Sequence, residues 1–230
     1  MQPFDELARN YDDLLRDPLR DRFAGGSDFF IEQKCRIVSA RLDAGRASCP
    51  PGTRLRVLDA GCGQGTAFRF FGAEHAVFGC DVSAAMLHRA AGRRAVAVQE
   101  PFDLPFADDT FDAAYAFCVY HHIDVSEHVR HLTELRRVVR PGGEVMVFEH
   151  NPHNPVTARI FRRAPVDRGC EMIPPAQLRR TFRDAGFTHI DHGYLLFVPE
   201  AVHRRVPFLE SMLSRVPLGG QYFVAGRKTE

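Results

Sequence analysis

A glycine-rich segment marks the chain as a candidate binder of a nucleotide-like ligand. In VLDAGCGQG, Gly61, Gly63 and Gly65 alternate with other residues after an apolar run that ends at Asp59. Glycine allows a positive φ and lets a ligand approach the main chain without a Cβ in the way. One glycine would satisfy a tight turn, so three at alternate positions predict a ligand. Asp81, about twenty residues later, has a spacing typical of carboxylates that bind ribose hydroxyls; its alternative role is to cap the next helix.

A second group of residues offers acid–base chemistry. His121 and His122 follow a later apolar run, and Glu149, His150 and His153 follow the next one. Histidine is the most frequent general acid or base in enzymes. The same imidazoles with Glu149 could bind zinc or iron, but their spacing matches no helical metal-binding motif. We therefore predict no metal, and treat the histidines as candidate bases or as structural residues.

The elements that must position these residues alternate between strands and helices. Apolar runs predict five strands, at 55–60, 75–81, 94–100, 111–120 and 144–150. Helices are predicted at 28–43, after Gly65, from Ser83 to Gly92, from a Ser126 cap to Pro141, and over 174–187, before two last strands at 188–197 and 221–228. Nearly continuous apolar runs are typical of parallel strands covered on both faces. The predicted fold is α/β, a doubly wound, Rossmann-like, mostly parallel seven-stranded sheet with an antiparallel last strand and helices on both faces.

Several of these segments together resemble the class I S-adenosylmethionine-dependent methyltransferases, in particular the small-molecule type, methyltransferase domain 11 or 25. The pattern D-x-G-x-G-x-G is similar to the family's first motif, and GCDVS places an acid after the second strand. LPFADDTFDAAYAFCVYHHI and LRRVVRPGGEVMVFE are similar to the regions of its fourth and fifth strands, so the resemblance spans about residues 54–150. A dinucleotide fingerprint would need glycine in place of Thr66, which disfavours a nicotinamide-dependent oxidoreductase.

The resemblance implies a site for S-adenosylmethionine. It implies that Asp59 lies near the amino-acid end of the cofactor, Asp81 at the ribose, Glu100 and Phe102 at the adenine, and the main chain of Phe117 along the cofactor. The residues expected to bind the cofactor are Asp59, Gly61, Cys62, Gly63, Gly65, Asp81, Val82, Met86, Glu100, Pro101, Phe102 and Phe117.

The N-terminal segment ARNYDDLL is similar to an element that folds over the cofactor in related methyltransferases. A mobile cover would exclude water from the reaction; the alternative is an amphipathic helix packed on the sheet. The candidate catalytic residues are therefore Tyr11, His121, His122, His150 and His153.

We expect one methyltransferase domain over 1–230. Residues 1–45 would form a helical N-terminal lid or appendage, 54–150 the cofactor-binding core, and 151–230 the acceptor-side elements and last strands. An insertion over 199–220 would either line the acceptor pocket or mediate dimerisation, so a homodimer stays among the predicted partners.

Composition favours a small partner. Thirty Lys and Arg residues against twenty-nine Asp and Glu residues leave a net charge of +1, without the basic excess typical of nucleic-acid binding. The six cysteines contain no C-x-x-C pair, which fits a reducing cytoplasm. The N-terminus lacks the pattern of a signal peptide, and no apolar run reaches the length of a membrane span. We predict a cytoplasmic protein with a small-molecule acceptor, no nucleic-acid partner and no membrane span.

The leading hypothesis is an S-adenosylmethionine-dependent methyltransferase whose acceptor atom, N, O or C, stays open. Phe161, Phe197 and Phe208 favour an apolar, natural-product or lipid-like acceptor. The alternative is a non-catalytic or repurposed protein that binds S-adenosylmethionine without transferring its methyl group.

Overall fold

The computed structural model describes residues 4–46, 50, 52–89, 95–97 and 102–230. Its strands are β1 (Leu55–Ala60), β2 (His75–Asp81), β3 (Ala95–Ala97), β4 (Phe111–Phe117), β5 (Val139–His150), β6 (Thr188–Leu195) and β7 (Gln221–Arg227). Within the described residues they form one seven-stranded sheet in the order β3-β2-β1-β4-β5-β7-β6.

The direction of the strands confirms the predicted fold class. β1 pairs in parallel with β2 and β4, β2 with β3, and β4 with β5. β7 is antiparallel to both β5 and β6. The strand order reverses between β1 and β4, so a crevice opens beside the carboxyl end of β1, where ligands of such sheets bind.

Helices cover both faces of the sheet. They are α1 (Phe4–Leu7), α2 (Tyr11–Leu14), α3 (Pro18–Phe23), α4 (Ser27–Arg46), α5 (Ala84–His88), α6 (His128–Val138), α7 (Pro155–Phe161), α8 (Pro175–Asp184), α9 (Glu200–His203) and α10 (Phe208–Leu213). Among the described residues, none of these helices is both long and apolar enough to cross a membrane.

Two apolar layers hold the helices to the sheet. On one face, α4 contributes Val38 and Leu42 to a core with Val57 of β1. On the other face, Leu132 of α6 packs in a core with Leu58 of β1. Neighbouring residues of β1 therefore point to opposite layers, as the period of two in a strand requires.

The helix predicted after Gly65 is instead a short 3-10 helix, Thr66–Phe70. Gly65 has a left-handed conformation with φ of 63°, and Phe71 is extended. Only five residues lie between these two fixed points, which is too short for two turns of α-helix.

The expected cap of α6 is also wrong. Ser126 lies in a separate 3-10 turn, Val125–Glu127, where its N–H donates to the Asp124 carboxylate at 2.9 Å. The following strand is longer than predicted: β5 begins at Val139 and includes the glycines expected to end the helix. A Cβ on Gly143 would lie 2.5 Å from the Asp112 carbonyl oxygen, so glycine permits this close pairing with β4.

Candidate active site

The turn after β1 is built from glycine backbone at the carboxyl edge of the sheet. Gly61, Gly63 and Gly65 have φ values of 75°, 50° and 63°. The Gly61 N–H donates to the Cys80 carbonyl at 2.8 Å, which ties the turn to β2. A Cβ on Gly61 would lie 2.6 Å from a methyl group of Val119, whereas a Cβ on Gly63 would have no atom within 4 Å. Packing therefore requires Gly61, while Gly63 borders open space.

Asp81 ends β2 and reaches back to this turn. Its Oδ2 accepts the Gly63 N–H at 2.7 Å and its Oδ1 accepts the Ser83 N–H at 2.8 Å. Ser83 itself caps α5, because its Oγ accepts the Met86 N–H at 3.2 Å. Burial raises the pKa of Asp81. Each carboxylate oxygen keeps a further lone pair that can accept a hydroxyl group at the glycine turn.

Asp59 lies one strand away, at the end of β1. Its side chain is buried, and burial raises its pKa to about 8. The charge of Lys34 opposes this shift. The carboxyl group of Asp59 is therefore largely protonated at neutral pH in the ligand-free protein.

Sequence reasoning missed Lys34 and Cys118 at the same edge. Lys34 is a buried residue of α4 whose Nζ lies 3.5 Å from Cys118 Sγ and 5.0 Å from the ring centroid of Phe117. Cys118 has a φ of 56°, which is uncommon for a residue other than glycine. The only signal for Lys34 was a charge within a predicted helix, and strain at Cys118 leaves no trace in the sequence.

Three other residues expected to bind the cofactor have side chains that are buried or partly buried in the protein. Cys62 is buried, with its Sγ against Gly79, and Met86 is the buried residue of α5. Val82 is partly buried against the core. These side chains support the turn, so a contact with the cofactor would have to involve their main chain.

Two aromatic residues expected at the cofactor also have partners. Phe102 has the Arg130 guanidinium 4.8 Å from its ring centroid. The ring of Phe117 stacks on Tyr115 with centroids 4.4 Å apart. Glu100 and Pro101 lie outside the described residues.

The histidines gather around two buried carboxylates. His121 Nδ1 donates to Glu149 Oε2 at 2.7 Å, and its Nε2 lies 3.2 Å from Asp167 Oδ1. His122 Nε2 lies 3.6 Å from the same Asp167 oxygen. Glu149 Oε1 also accepts the Tyr120 N–H at 2.8 Å, which orients the carboxylate. Asp167 belongs to the 3-10 turn Pro165–Asp167 and was missed, because nothing in its local sequence suggests a contact with the end of β5.

The charges of this group are unevenly distributed. Burial alone would lower the pKa of His121, but the charges of Glu149 and Asp167 raise it to about 10. Burial and the positive charge of His121 lower the pKa values of His122 and His150 to about 4. At neutral pH the positive charge is therefore held on His121, between two carboxylates, while its two histidine neighbours are uncharged.

His150 completes the group at the end of β5. Its ring centroid lies 5.3 Å from that of His121, and the buried Phe161 packs 5.4 Å from it. His153 is exposed, and the described contacts of the histidine group do not include it; its main-chain N–H donates to Asn151 Oδ1 at 3.1 Å. The structure thus joins three of the four predicted histidines.

The N-terminal segment lies over both halves of the site. The Asp5 carboxylate accepts the Ser83 hydroxyl at 2.5 Å, next to Asp81. The ring of Phe4 meets His122 edge-on with centroids 4.9 Å apart. α2 packs against the turn that carries Asp167, and burial together with the charges of Asp167 and Asp81 raises the pKa of Tyr11. Tyr11 therefore lies on a helix packed beside Asp167, within electrostatic range of Asp81.

A cleft of about 240 Å³ lies beside the histidine group. It is formed by residues from 161 to 170, including Asp167 and Cys170, and three arginines line it. Cys170 Sγ lies 3.2 Å from His122 Nδ1. Two residues of the cleft, Asp167 and Cys170, therefore contact the histidines.

Known proteins share the central part of this arrangement. Residues 58–147 match the family described as a methyltransferase domain. Residues 58–147 therefore form a domain of the class I S-adenosylmethionine-dependent methyltransferase type. The malonyl-[acyl-carrier protein] O-methyltransferase of Erwinia pyrifoliae is 41% identical over 127 residues, which cover 51% of this methyltransferase and 48% of that protein. The demethylmenaquinone methyltransferase of Corynebacterium kroppenstedtii is 35% identical over 161 residues, which cover 69% and 63%.

A different kind of relative is also similar. The probable tRNA methyltransferase 9B of Mus musculus is 35% identical over 94 residues, which cover 40% of this methyltransferase and 21% of that protein. This methyltransferase spans less than two thirds of the length of each of these three relatives. The type of acceptor therefore differs among proteins similar to it.

Solved structures extend the likeness to the whole chain. A methyltransferase of Thermotoga maritima described as a possible histamine N-methyltransferase has a TM-score of 0.66 and 19% identity, with 98% of each chain covered. An Archaeoglobus fulgidus methyltransferase has a TM-score of 0.65 and 18% identity, with 90% and 97% covered. At this level of identity the likeness shows the methyltransferase fold alone.

Proposed function

We propose that this methyltransferase transfers the methyl group of S-adenosylmethionine to a small-molecule acceptor held at the histidine group. The observation that carries the proposal is the contact between Asp81 and Gly63 beside open space. It supplies a carboxylate for hydroxyl groups and a bare backbone for close approach, at the point where the strand order reverses.

The residues of the crevice fit this cofactor. Asp81 would accept hydrogen bonds from the ribose hydroxyls, and the turn at Gly63 would border the nucleoside. Asp59 would face the amino-acid end, where a positive charge favours its ionised form. When bound, S-adenosylmethionine supplies an electrophilic methyl group on a sulfonium centre, so transfer depends chiefly on holding the acceptor in line.

The histidine group would orient the acceptor and handle its proton. His150 and His122 are uncharged at neutral pH, so either imidazole can accept a proton from an acceptor hydroxyl or ammonium group. The charged His121 is held by Glu149 and Asp167, so it would contribute positive charge beside the acceptor and no direct hydrogen bond to it. Tyr11 would stay protonated and act as a hydrogen-bond donor. Phe161 would shield these polar groups from water.

The cleft favours a small acceptor that carries an acid group. Its volume of about 240 Å³ lies just below the usual range for ligand pockets. Arg162, Arg163 and Arg168 line it and bring positive charge to the entrance. The lipid-like acceptor has less support, because Phe161 is buried, Phe197 packs against the core and Phe208 is 57% exposed.

Transfer of a labelled methyl group tests the proposal. The purified protein is incubated with labelled S-adenosylmethionine and separate panels of small carboxylic acids, phenols, amines, lipid-like alcohols and total tRNA. We expect label in a small acidic acceptor, and none with Asp81→Ala. Label in tRNA alone would contradict a small-molecule acceptor. Tight cofactor binding without transfer to any panel would favour the non-catalytic alternative.

A further inference from the structure

We infer that His121, His150 and Asp167 form a binding site for a divalent transition-metal ion such as Zn²⁺. One ligand atom from each of these residues lies within 4.8 Å of the other two. Binding of the ion is a property of these side chains alone and does not depend on methyl transfer.

The hydrogen bonds of His121 show why a cation belongs here. Its Nδ1 donates to Glu149, because a carboxylate can only accept. In the neutral ring the lone pair is then on Nε2, which faces Asp167 Oδ1 at 3.2 Å. In the metal-free protein a proton on Nε2 lies between these two atoms, and a metal ion bound to both of them would replace that proton.

The distances around Asp167 suit a metal ion. With zinc bonds of about 2.0–2.2 Å, neighbouring ligand atoms of a tetrahedral site are about 3.3–3.5 Å apart. The 3.2 Å separation of His121 Nε2 and Asp167 Oδ1 is close to this value. His150 belongs to the same group within 4.8 Å, so it would have to approach by roughly 1 Å.

The surroundings resemble those of metal-binding histidines. Such histidines usually donate their second ring N–H to a carboxylate or another acceptor, which fixes the ring. Glu149 does this for His121, because its carboxylate accepts the Nδ1–H of that ring at 2.7 Å. Glu149 and Asp167 are both buried beside His121. A divalent ion bound to the neutral ring of His121 would balance the negative charges of these two carboxylates.

The chemistry of the three ligands determines which metals would bind, and their number leaves coordination positions open on the ion. Two imidazoles and one carboxylate favour zinc, iron, cobalt or nickel over magnesium and calcium, which prefer oxygen ligands. Three protein ligands leave coordination positions open, and the cleft beside Asp167 would admit an oxygen atom of an acceptor to them. The ligands come from two 3-10 turns and the end of β5, far apart in the chain, so the chain spacing that led us to predict no metal carries no signal for such a site.

Direct metal binding tests the inference. The full chain is freed of metal with a chelator and titrated with Zn²⁺ by calorimetry and with Co²⁺ by its ligand-field absorption. We expect one ion per chain and a Zn²⁺-dependent rise in the unfolding temperature. His150→Ala and Asp167→Asn should abolish both signals, and Glu149→Gln should weaken binding about 10–100-fold. His192→Ala, a partly buried histidine of β6, serves as the matched control and should bind like the wild type.

Two results would overturn the inference. One is the absence of saturable binding of either metal to the wild-type chain, which would mean that a proton alone holds His121 to Asp167. The other is binding that persists in His150→Ala but disappears in Cys170→Ser, because the ion would then be held by Cys170 and His122. Unfolding curves of each variant show whether a lost signal comes from a protein that no longer folds.

Discussion

Replacing Asp81 by asparagine tests the cofactor site with the smallest change of shape. The two carboxylate oxygens accept N–H groups of Gly63 and Ser83 at 2.7 and 2.8 Å. An amide has only one oxygen, so one of these donors would face an NH₂ group, at a cost of about 1–3 kcal/mol of stability. The charge that would bind the ribose hydroxyls is lost as well. Hydrogen bonds to a charged group contribute about 1.5–3 kcal/mol each, so we expect S-adenosylmethionine to bind about 100-fold more weakly or worse.

The assay is calorimetric titration with S-adenosylmethionine, together with the unfolding temperature. Asp112→Asn is the matched control, because Asp112 accepts the Arg56 N–H and Arg140 Nε, both at 2.7 Å, at the opposite edge of the sheet. This control should lose a similar amount of stability and keep its affinity. Equal affinity of Asp81→Asn and wild type would refute the reasoning, and so would equal losses in both variants.

Three further changes test the same edge of the sheet. The pKa of Asp59 is raised from 3.8 to about 8, so the folded protein holds a proton that the unfolded chain releases. The free energy of unfolding should therefore fall as pH rises from 4 to 8. Asp59→Asn should flatten this dependence in urea unfolding, and an unchanged slope would contradict the argument. Gly63→Ala should cost only about 1–2 kcal/mol of stability but abolish cofactor binding. Gly61→Ala, whose new Cβ would meet Val119, should cost about 2–5 kcal/mol by thermal unfolding. Equal losses of stability in the two variants would contradict the packing argument. Glu149→Gln should lower the free energy of unfolding by about 3–5 kcal/mol, since it leaves His121 with one charged partner, and a change below 1 kcal/mol in denaturant titration would rule this out.

The sequence predicts the strands and the glycine turn at this edge well, because each of these features is local. Apolar runs define the strands, and the glycine spacing predicts the turn at Gly61 and Gly63 that the structure contains. The predictions that were wrong concern short segments. The five residues after Gly65 are too few to form an α-helix of two turns. Ser126 contacts Asp124 and does not cap α6.

The contacts of the histidine group could not be predicted in the same way. Asp167 meets His121 across 46 residues, and Lys34 meets Cys118 across 84. Such contacts depend on how the helices pack on the sheet. The hydrophobic periodicity and the motif spacing of the sequence do not predict them. The predicted histidines and Glu149 do lie after two neighbouring strands, but the second carboxylate partner of His121, Asp167, was not among the candidates.

This division has a physical origin in the fold. Asp81 and Glu149 stand at the ends of parallel strands, whose register fixes them relative to the glycine turn. Asp167 and Tyr11 stand on short helical segments outside the sheet, which can change without disturbing strand pairing. The match to the methyltransferase family ends at residue 147, before Asp167, and the relatives differ in their acceptors. The two groups of residues therefore rest on different structural supports: strand register holds Asp81 and Glu149, and short segments outside the sheet hold Asp167 and Tyr11.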